Sequence, residues 1–316
     1  MRIIMASRES DWRREAENSI LLKSVSHWRE KPDRWFRGSY DRLPETVRVN
    51  PMSEEKDWVE SWLSGIGANR IPWFSGPGSA WEMPFERGSA EEEVKSLMSA
   101  LHETGRITRQ EAVSMLPVLA LDPTPGQIIL DLCASPGSKT TQICEHLGDS
   151  GAVVANEVIS GRVNTLVTNV QRHASRTVLV VQHDGRHIPR VPGSGFDGVL
   201  VDVPCTGSGT TRKNPDVWGK WRPSSGRSLH SLQYDLLTRA IELTKPGGRV
   251  VYSTCSLDPI ENEAVVARVL AGGKVRVVPR GDSLSGVPSN PGMTNWPLLN
   301  DSCLLYTSPS PRDSGQ

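Results

Sequence analysis

The chain has 316 residues, enough for one large domain or two ordinary ones and for a core that needs no disulfides. Its 36 basic residues balance 36 acidic ones, which excludes a strongly basic nucleic-acid scaffold and leaves room only for a local patch. The five cysteines, Cys133, Cys144, Cys205, Cys255 and Cys303, are odd in number, widely spaced and without a CxxC pair, so neither a disulfide framework nor a metal site is expected.

Arg2, Arg8 and the charged run from Asp11 to Glu15 interrupt any apolar leader, and no run of about 18 apolar residues offers a membrane span. A nuclear or cytoplasmic setting with reduced thiols is the expectation. Residues 1–40 read as a charged, tryptophan-dotted extension with an amphipathic stretch at Ser19 to Leu22. Residues 41–106 are mixed, with breaks at Pro51, Pro72, Pro77 and Pro84. Seven of the ten tryptophans precede residue 82; they read as packing of a small domain, or as platforms on which bases stack.

From Ile107 the pattern becomes βαβ. Thr108-Arg109-Gln110-Glu111 resembles a capping box that opens a helix through Ala120. Strands are expected at Ile128 to Cys133, Ala152 to Glu157, Thr177 to Val181, Phe196 to Cys205 and Gly248 to Cys255. Helices are expected at Thr140 to Leu147, Gly161 to His173 and Leu229 to Thr244, the last stopped by the turn Lys245-Pro246-Gly247-Gly248. Such continuous β-branched runs indicate strands buried on both faces, and their alternation with helices indicates a doubly wound α/β fold with a mostly parallel sheet.

The tight loop Cys133-Ala134-Ser135-Pro136-Gly137-Ser138-Lys139 joins the first of these strands to a helix N-terminus, where backbone amides favour an anionic or polar ligand. Its glycine spacing matches neither GxGxxG nor a Walker A loop. A nucleotide-like ligand there wants an acid at the end of the next strand for ribose hydroxyls, and Glu157 is so placed; Asp184, ending the third strand, is placed to receive an adenine amino group. Acids also cap strand ends and helix starts with no ligand involved.

Cys205 and Cys255 close two of the strands at the carboxyl edge, where open α/β sheets bind ligands, and Asp202 lies just before the first of them. Two thiols and an acid there point to covalent chemistry, against the plainer reading of buried packing thiols, which suits Cys133 and Cys144. Thr211-Arg212-Lys213-Asn214, Lys220 and Arg222, with Trp218 and Trp221 between them, form a basic loop placed to meet phosphates or simply solvated.

The segments Asp131 to Gln142, Asp202 to Thr210 and Tyr252 to Ala264 resemble the motifs of the NOL1/NOP2/Sun RNA cytosine-5 methyltransferases, over a stretch from about Leu43 to Trp296. Ile107 to Met115 and Arg212-Lys213-Asn214 are most similar to the eukaryotic tRNA-modifying branch. The resemblance implies a Rossmann-like class I methyltransferase domain at 107–296 and a smaller α+β domain at 41–106 that helps grip RNA. It further implies S-adenosyl-L-methionine as cofactor and a cytosine of RNA, tRNA in particular, as acceptor. By resemblance Cys255 is the nucleophile, Cys205 assists product release, Asp202 hydrogen-bonds the cytosine, and Lys139 lies near the reacting base. Cys133 to Lys139, Glu157, Asp184 and Asp202 are expected to surround the cofactor, and Arg212, Lys213, Lys220 and Arg222 are expected to meet RNA. A free thiol is mostly protonated at neutral pH, so Cys255 needs electrostatic help, with Lys139 as one source.

Two departures accompany the likeness. Ser208 stands where the family usually has Asp between two glycines, and the family's closing aromatic strands are not found. The expectation is a sheet lacking its C-terminal strands, with residues 297–316 a non-native tail. A catalytically silent RNA-binding protein, an rRNA or mRNA substrate, a DNA cytosine-5 methyltransferase relying on Cys205 alone, and a small-molecule or adenine methyltransferase are the competing readings.

Overall fold

The computed structural model describes residues 12–301 apart from 149, 191–192 and 280–281. Arg2, Arg8, Cys303 and the tail from Ser302 onward therefore lie outside the described residues.

The amphipathic stretch at Ser19 becomes helix α1 (Ile20–Trp28), whose cap Ser19 accepts the Leu22 amide at 3.0 Å. Helix α2 (Pro32–Gly38) follows, with proline at its first turn. The next elements are β1 (Pro44–Val49), α3 (Lys56–Gly65), β2 (Asn69–Arg70), β3 (Ser79–Glu86), α4 (Glu92–Glu103) and β4 (Ile107–Arg109). Their strands form an antiparallel sheet in the order β2-β3-β1-β4. Alternation along β1 sends Val47 and Val49 into a core with Val59, Leu63, Trp81, Met98, Leu101 and Ile107.

The expected capping box is not made. Ile107, Thr108 and Arg109 pair with Val49, Arg48 and Val47, because an unpaired β1 edge offers them a ladder. Helix α5 (Ala112–Leu121) starts later, behind Glu111, which makes no side-chain cap. The Gln110 side chain turns inward, donating to Gln142 Oε1 at 3.1 Å and accepting from Arg48.

The second sheet contains β5 (Ile128–Asp131), β6 (Ala152–Asn156), β7 (Val178–Val181), β8 (Phe196–Asp202) and β9 (Thr244–Ser253), all parallel, in the order β7-β6-β5-β8-β9. Helices α6 (Ser138–Leu147), α7 (Ser160–His173), α8 (Val217–Lys220), α9 (Pro223–Leu243) and α10 (Glu263–Leu270) complete the doubly wound arrangement. Strand order reverses between β5 and β8, the switch point at which such sheets bind ligands. Helix α9 begins six residues before the expected Leu229, since Pro223 is preorganised for a first helical turn. The expected turn at Lys245 to Gly248 survives as a bulge inside β9, where the register jumps from Phe196–Thr244 to Gly198–Arg249 and Gly247 takes φ +82°. No helix of the described residues is long and apolar enough to cross a membrane.

The two sheets are joined by a buried charge cluster. Arg48, on the opposite face of β1 from Val47, is fully buried and grips Glu145 of α6 with Nε at 2.6 Å and Nη2 at 2.7 Å. Glu145 also meets His173 Nε2 at 3.0 Å. Burial pushes the Glu145 carboxyl up, but Arg48 and His173 outweigh it and the net shift is downward. Arg48 reaches further, to the Ser138 carbonyl at 3.2 Å and Thr141 Oγ1 at 3.2 Å. Glu145→Gln strips a buried guanidinium of its counter-ion and should cost about 3–5 kcal/mol. Urea unfolding at unchanged m-value measures this, and a loss near zero would show that the cluster is not holding the domains.

Candidate active site

Strands β8 and β9 end at Asp202 and Ser253, which lie opposite each other in the ladder. The chain then leaves the sheet on both sides at one level. Cys205 lies three residues past its strand and Cys255 two past, and their sulfurs approach to 3.1 Å as free thiols. Cys255 is exposed and Cys205 half-buried. The Cys205 thiol hydrogen-bonds to Cys255 and lowers the latter's pKa, while that bond and burial raise its own. Lys139 contributes least to the shift of Cys255. Its ammonium is 2.7 Å from Asp202 Oδ2, and that carboxylate acts on Cys255 in the opposite sense. The expected electrostatic help thus comes chiefly from the second thiol.

Asp202 is held on both oxygens, by Lys139 and by Ser253 Oγ at 2.7 Å to Oδ1. The cysteine loops are braced by Glu261, a fully buried acid that the sequence reading did not single out. It accepts the Thr206 amide at 2.9 Å and Gln233 Nε2 at 3.0 Å, and both Thr206 Oγ1 and Ser256 Oγ donate to it. Trp221 Nε1 donates to Thr206 Oγ1 at 3.0 Å. Ser208, the departure from the family's Asp, is buried and accepts the Leu257 amide at 2.7 Å, tying one loop to the other. Gly209 must be glycine, because its amide meets the Cys255 carbonyl at 2.9 Å and a Cβ would lie 2.8 Å from that oxygen. The signal for Glu261 was its place in the run after Cys255, but only the fold shows that it reaches back to Thr206.

The loop from Cys133 to Lys139 leaves β5 beside this edge. Gly137 takes φ +107° at the start of α6, with Leu166 packed where a side chain would point. The half-buried Cys133 thiol is driven far up, first by burial and then by the charges of Asp131, Asp202 and Glu157, so the fields of three carboxylates reach this loop. Asp131 itself is 1% exposed; Oδ2 accepts Thr140 Oγ1 at 2.7 Å, and Oδ1 has no partner among the described residues. Such a site fits a ligand bearing positive charge. Glu157 is buried, accepting the Ile159 amide at 2.9 Å with Arg162 at 3.4 Å. Asp184 is clasped by Arg186, Nη2 at 2.6 Å, which holds its carboxyl down at about 2.

The basic loop is less open than its composition suggests. Trp218 and Trp221 are buried with Ala16, Leu21 and Val25, and Trp28 meets Trp221 edge-on at 5.7 Å. They are core residues here and not platforms interleaved with the cations. Arg212 donates to the Asp41 carbonyl at 2.6 Å, and Arg222 to the carbonyls of Gly219 and Trp221 at 2.7 Å. Lys220 pairs with Asp216 at 2.6 Å and Lys213 lies 4.0 Å from Glu111, with both lysines largely exposed.

Burial pushes the Asp131 carboxyl up to about 7. Between about pH 4 and pH 7 the folded chain keeps a proton that the unfolded chain has released, so stability falls as pH rises through that window. Asp258, also pushed up to about 7, shares the window. Melting curves from pH 5 to pH 8 in the absence of ligand should show a shallower decline for Asp131→Asn than for the unaltered chain.

A family model described as 16S rRNA methyltransferase RsmB/F matches residues 118–297. The chain is 45% identical over 213 residues to a multisite-specific tRNA:(cytosine-C(5))-methyltransferase of Saccharomyces cerevisiae, spanning 62% of this chain and 31% of that enzyme. It is 40% identical over 271 residues to ribosomal RNA small subunit methyltransferase F of Escherichia coli, 84% of this chain and 55% of the relative. A crystal structure of a methyltransferase homologue from Pyrococcus horikoshii superposes with a TM-score of 0.63 at 31% identity, covering 79% of this chain and 76% of that one. The chain thus spans about a third to a half of the length of these curated relatives. With the family model covering more than half of its residues, the chain belongs to the RsmB/F family of methyltransferases.

Proposed function

We propose that the chain carries the catalytic part of an S-adenosyl-L-methionine-dependent RNA cytosine-5 methyltransferase acting on tRNA. The observation that carries this reading is the pair of sulfurs 3.1 Å apart, at the switch-point edge of a sheet whose neighbouring loop gathers carboxylates. The cofactor supplies a methyl group on a positively charged sulfonium. Cys133 to Lys139, Glu157 and Asp184 are the residues proposed to hold it, Asp184 by turning from Arg186 to an exocyclic amine.

Carbon 5 of cytosine is a weak nucleophile within its ring. Addition of the Cys255 sulfur to carbon 6 breaks the ring conjugation and places electron density on carbon 5, which then takes the methyl group. Water at the exposed Cys255 edge takes the carbon 5 proton, the C–H electron pair re-forms the bond between carbons 5 and 6, and the Cys255 sulfur leaves carbon 6 as a thiolate. Asp202, kept in place by Lys139 and Ser253, faces the pyrimidine's ring nitrogen or amino group and favours addition. Cys205 hydrogen-bonds to the attacking sulfur, helping to generate the thiolate and to let it leave. Lys213 and Lys220 are the exposed cations proposed for phosphates, whereas Arg212 and Arg222 order the loop that carries them.

The higher identity to the yeast tRNA enzyme favours tRNA. The longer match to a ribosomal RNA enzyme supports rRNA as the second reading. Bisulfite sequencing of a tRNA transcript and of small-subunit rRNA after incubation with the chain and donor decides between them.

Cys255→Ala should abolish methyl transfer to either RNA, measured by tritium transfer from labelled donor; ordinary turnover in this variant would end the assignment. Cys205→Ala should slow attack, because the Cys255 thiolate loses its hydrogen-bond partner, and stall at release, seen as a slowed protein–RNA band on denaturing gels that is missing in the double variant.

A further inference from the structure

A cavity of about 290 Å³ opens where the N-terminal segment crosses the loop that follows Cys205. It is lined by Trp12, Arg13, Tyr40, Arg42, Glu86 and Arg212, among others. This volume sits near the lower end of small-ligand pockets, about 300 Å³, and suits one compact group. Its walls are chemically mixed. The rings of Trp12 and Tyr40 lie 5.5 Å apart, and the Arg13 guanidinium lies over both, 5.6 and 5.5 Å from their centroids. Arg212 is oriented by the carbonyls of Asp41 and Arg42, and Arg42 lies 4.0 Å from Glu86. The Tyr40 hydroxyl is buried and has no hydrogen-bond partner among the described residues. An unpaired buried hydroxyl is costly, and a ligand that pairs it recovers that cost.

Trp218 and Trp221 are buried in the neighbouring core cluster, and Trp12, Trp28 and Trp35 pack against it while partly exposed. Trp12 and Tyr40 are the aromatic residues that also line the cleft, together with guanidinium groups and the carboxylates of Asp41 and Glu86. Aromatic and guanidinium planes hold unstacked bases, and arginines meet phosphates. Carboxylates accept from exocyclic amino groups. Thr211 also lines the cleft, and it is six residues from Cys205, a reach of roughly 20 Å at most. That corresponds to about six nucleotides at a stacked spacing of about 3.4 Å.

We propose that this cleft is a subsite for one unstacked nucleotide of the substrate RNA, a few positions from the target cytosine, held by Trp12, Arg13 and Tyr40. The inference rests on the RNA reading above and extends it to a second recognition point contributed by the N-terminal segment. The base takes the place of the Arg13 guanidinium against the Trp12 and Tyr40 rings, the Tyr40 hydroxyl gains a partner, and the displaced Arg13 meets the phosphate with Arg42.

A tRNA transcript made in vitro with 4-thiouridine in place of uridine serves as the probe, with affinity read by filter binding and photo-crosslinked peptides mapped by mass spectrometry. Trp12→Ala should weaken binding about tenfold. Tyr40→Phe should weaken it about threefold while melting no lower than the unaltered chain, since it removes an unpaired hydroxyl. Crosslinks should map to peptides containing Trp12, Arg13 or Tyr40. Undiminished affinity in Tyr40→Phe, with crosslinks confined to other peptides, overturns the subsite. Cytosine methylation of the same transcript is scored in parallel. A chain that methylates it while the variants bind as tightly as the unaltered chain sinks the subsite alone. A chain that binds through the cleft without methylating sinks the reaction and keeps the subsite.

Discussion

Parallel pairing of β8 with β9 is the constraint from which the site follows. Asp202 stands opposite Ser253, so both strands release the chain at the same edge and height. In a parallel ladder the hydrogen bonds fix this register continuously from Gly198–Arg249 onward, and the bulge before it absorbs the mismatch in strand length. Two short turns of nearly equal length then bring the sulfurs of Cys205 and Cys255 together. A slip of one residue would turn one thiol toward the opposite face.

Past the ends of these strands the two cysteine loops are braced by buried polar groups. Glu261 gathers four donors from three segments, so the loop of Cys205 cannot move without disturbing that of Cys255. Ser208 joins the same framework by a neutral hydroxyl where the family usually has a carboxylate. An acid at this fully buried position would sit close to the buried Glu261 network, where a second charge costs more than a hydroxyl.

The small antiparallel sheet is not an independent appendage. Arg48 leaves its strand on the face opposite the small core and enters the second domain, touching Glu145, Thr141 and the carbonyl of Ser138. Ser138 belongs to the loop proposed to hold the cofactor, and Lys139 beside it pairs with Asp202. One guanidinium therefore sets the position of the small sheet relative to the helix that opens at the reacting edge. The N-terminal helices dock separately, through aromatic packing on Trp218 and Trp221, and so shape the approach to the cysteine loops.

The residue order alone carried the five parallel strands, the helices between them, the tight loop after the first of them, and the two thiols with Asp202 at the carboxyl edge. Those features are written in local patterns, β-branched runs and turn residues, that act over a few positions. The strand at Ile107, the inward turn of Gln110, the burial of Trp218 and Trp221, and the bracing role of Glu261 were decided elsewhere. Each depends on a partner far along the chain: β1 for Ile107, Arg48 for Gln110, the N-terminal helices for the tryptophans, Thr206 for Glu261. A single-residue preference of a few tenths of a kcal/mol, such as a capping box, yields to a ladder or a buried ion pair once folding supplies one. Likewise the four cations of the basic loop were evident as charges, but only the folded backbone determines which are bound to carbonyls and which face water.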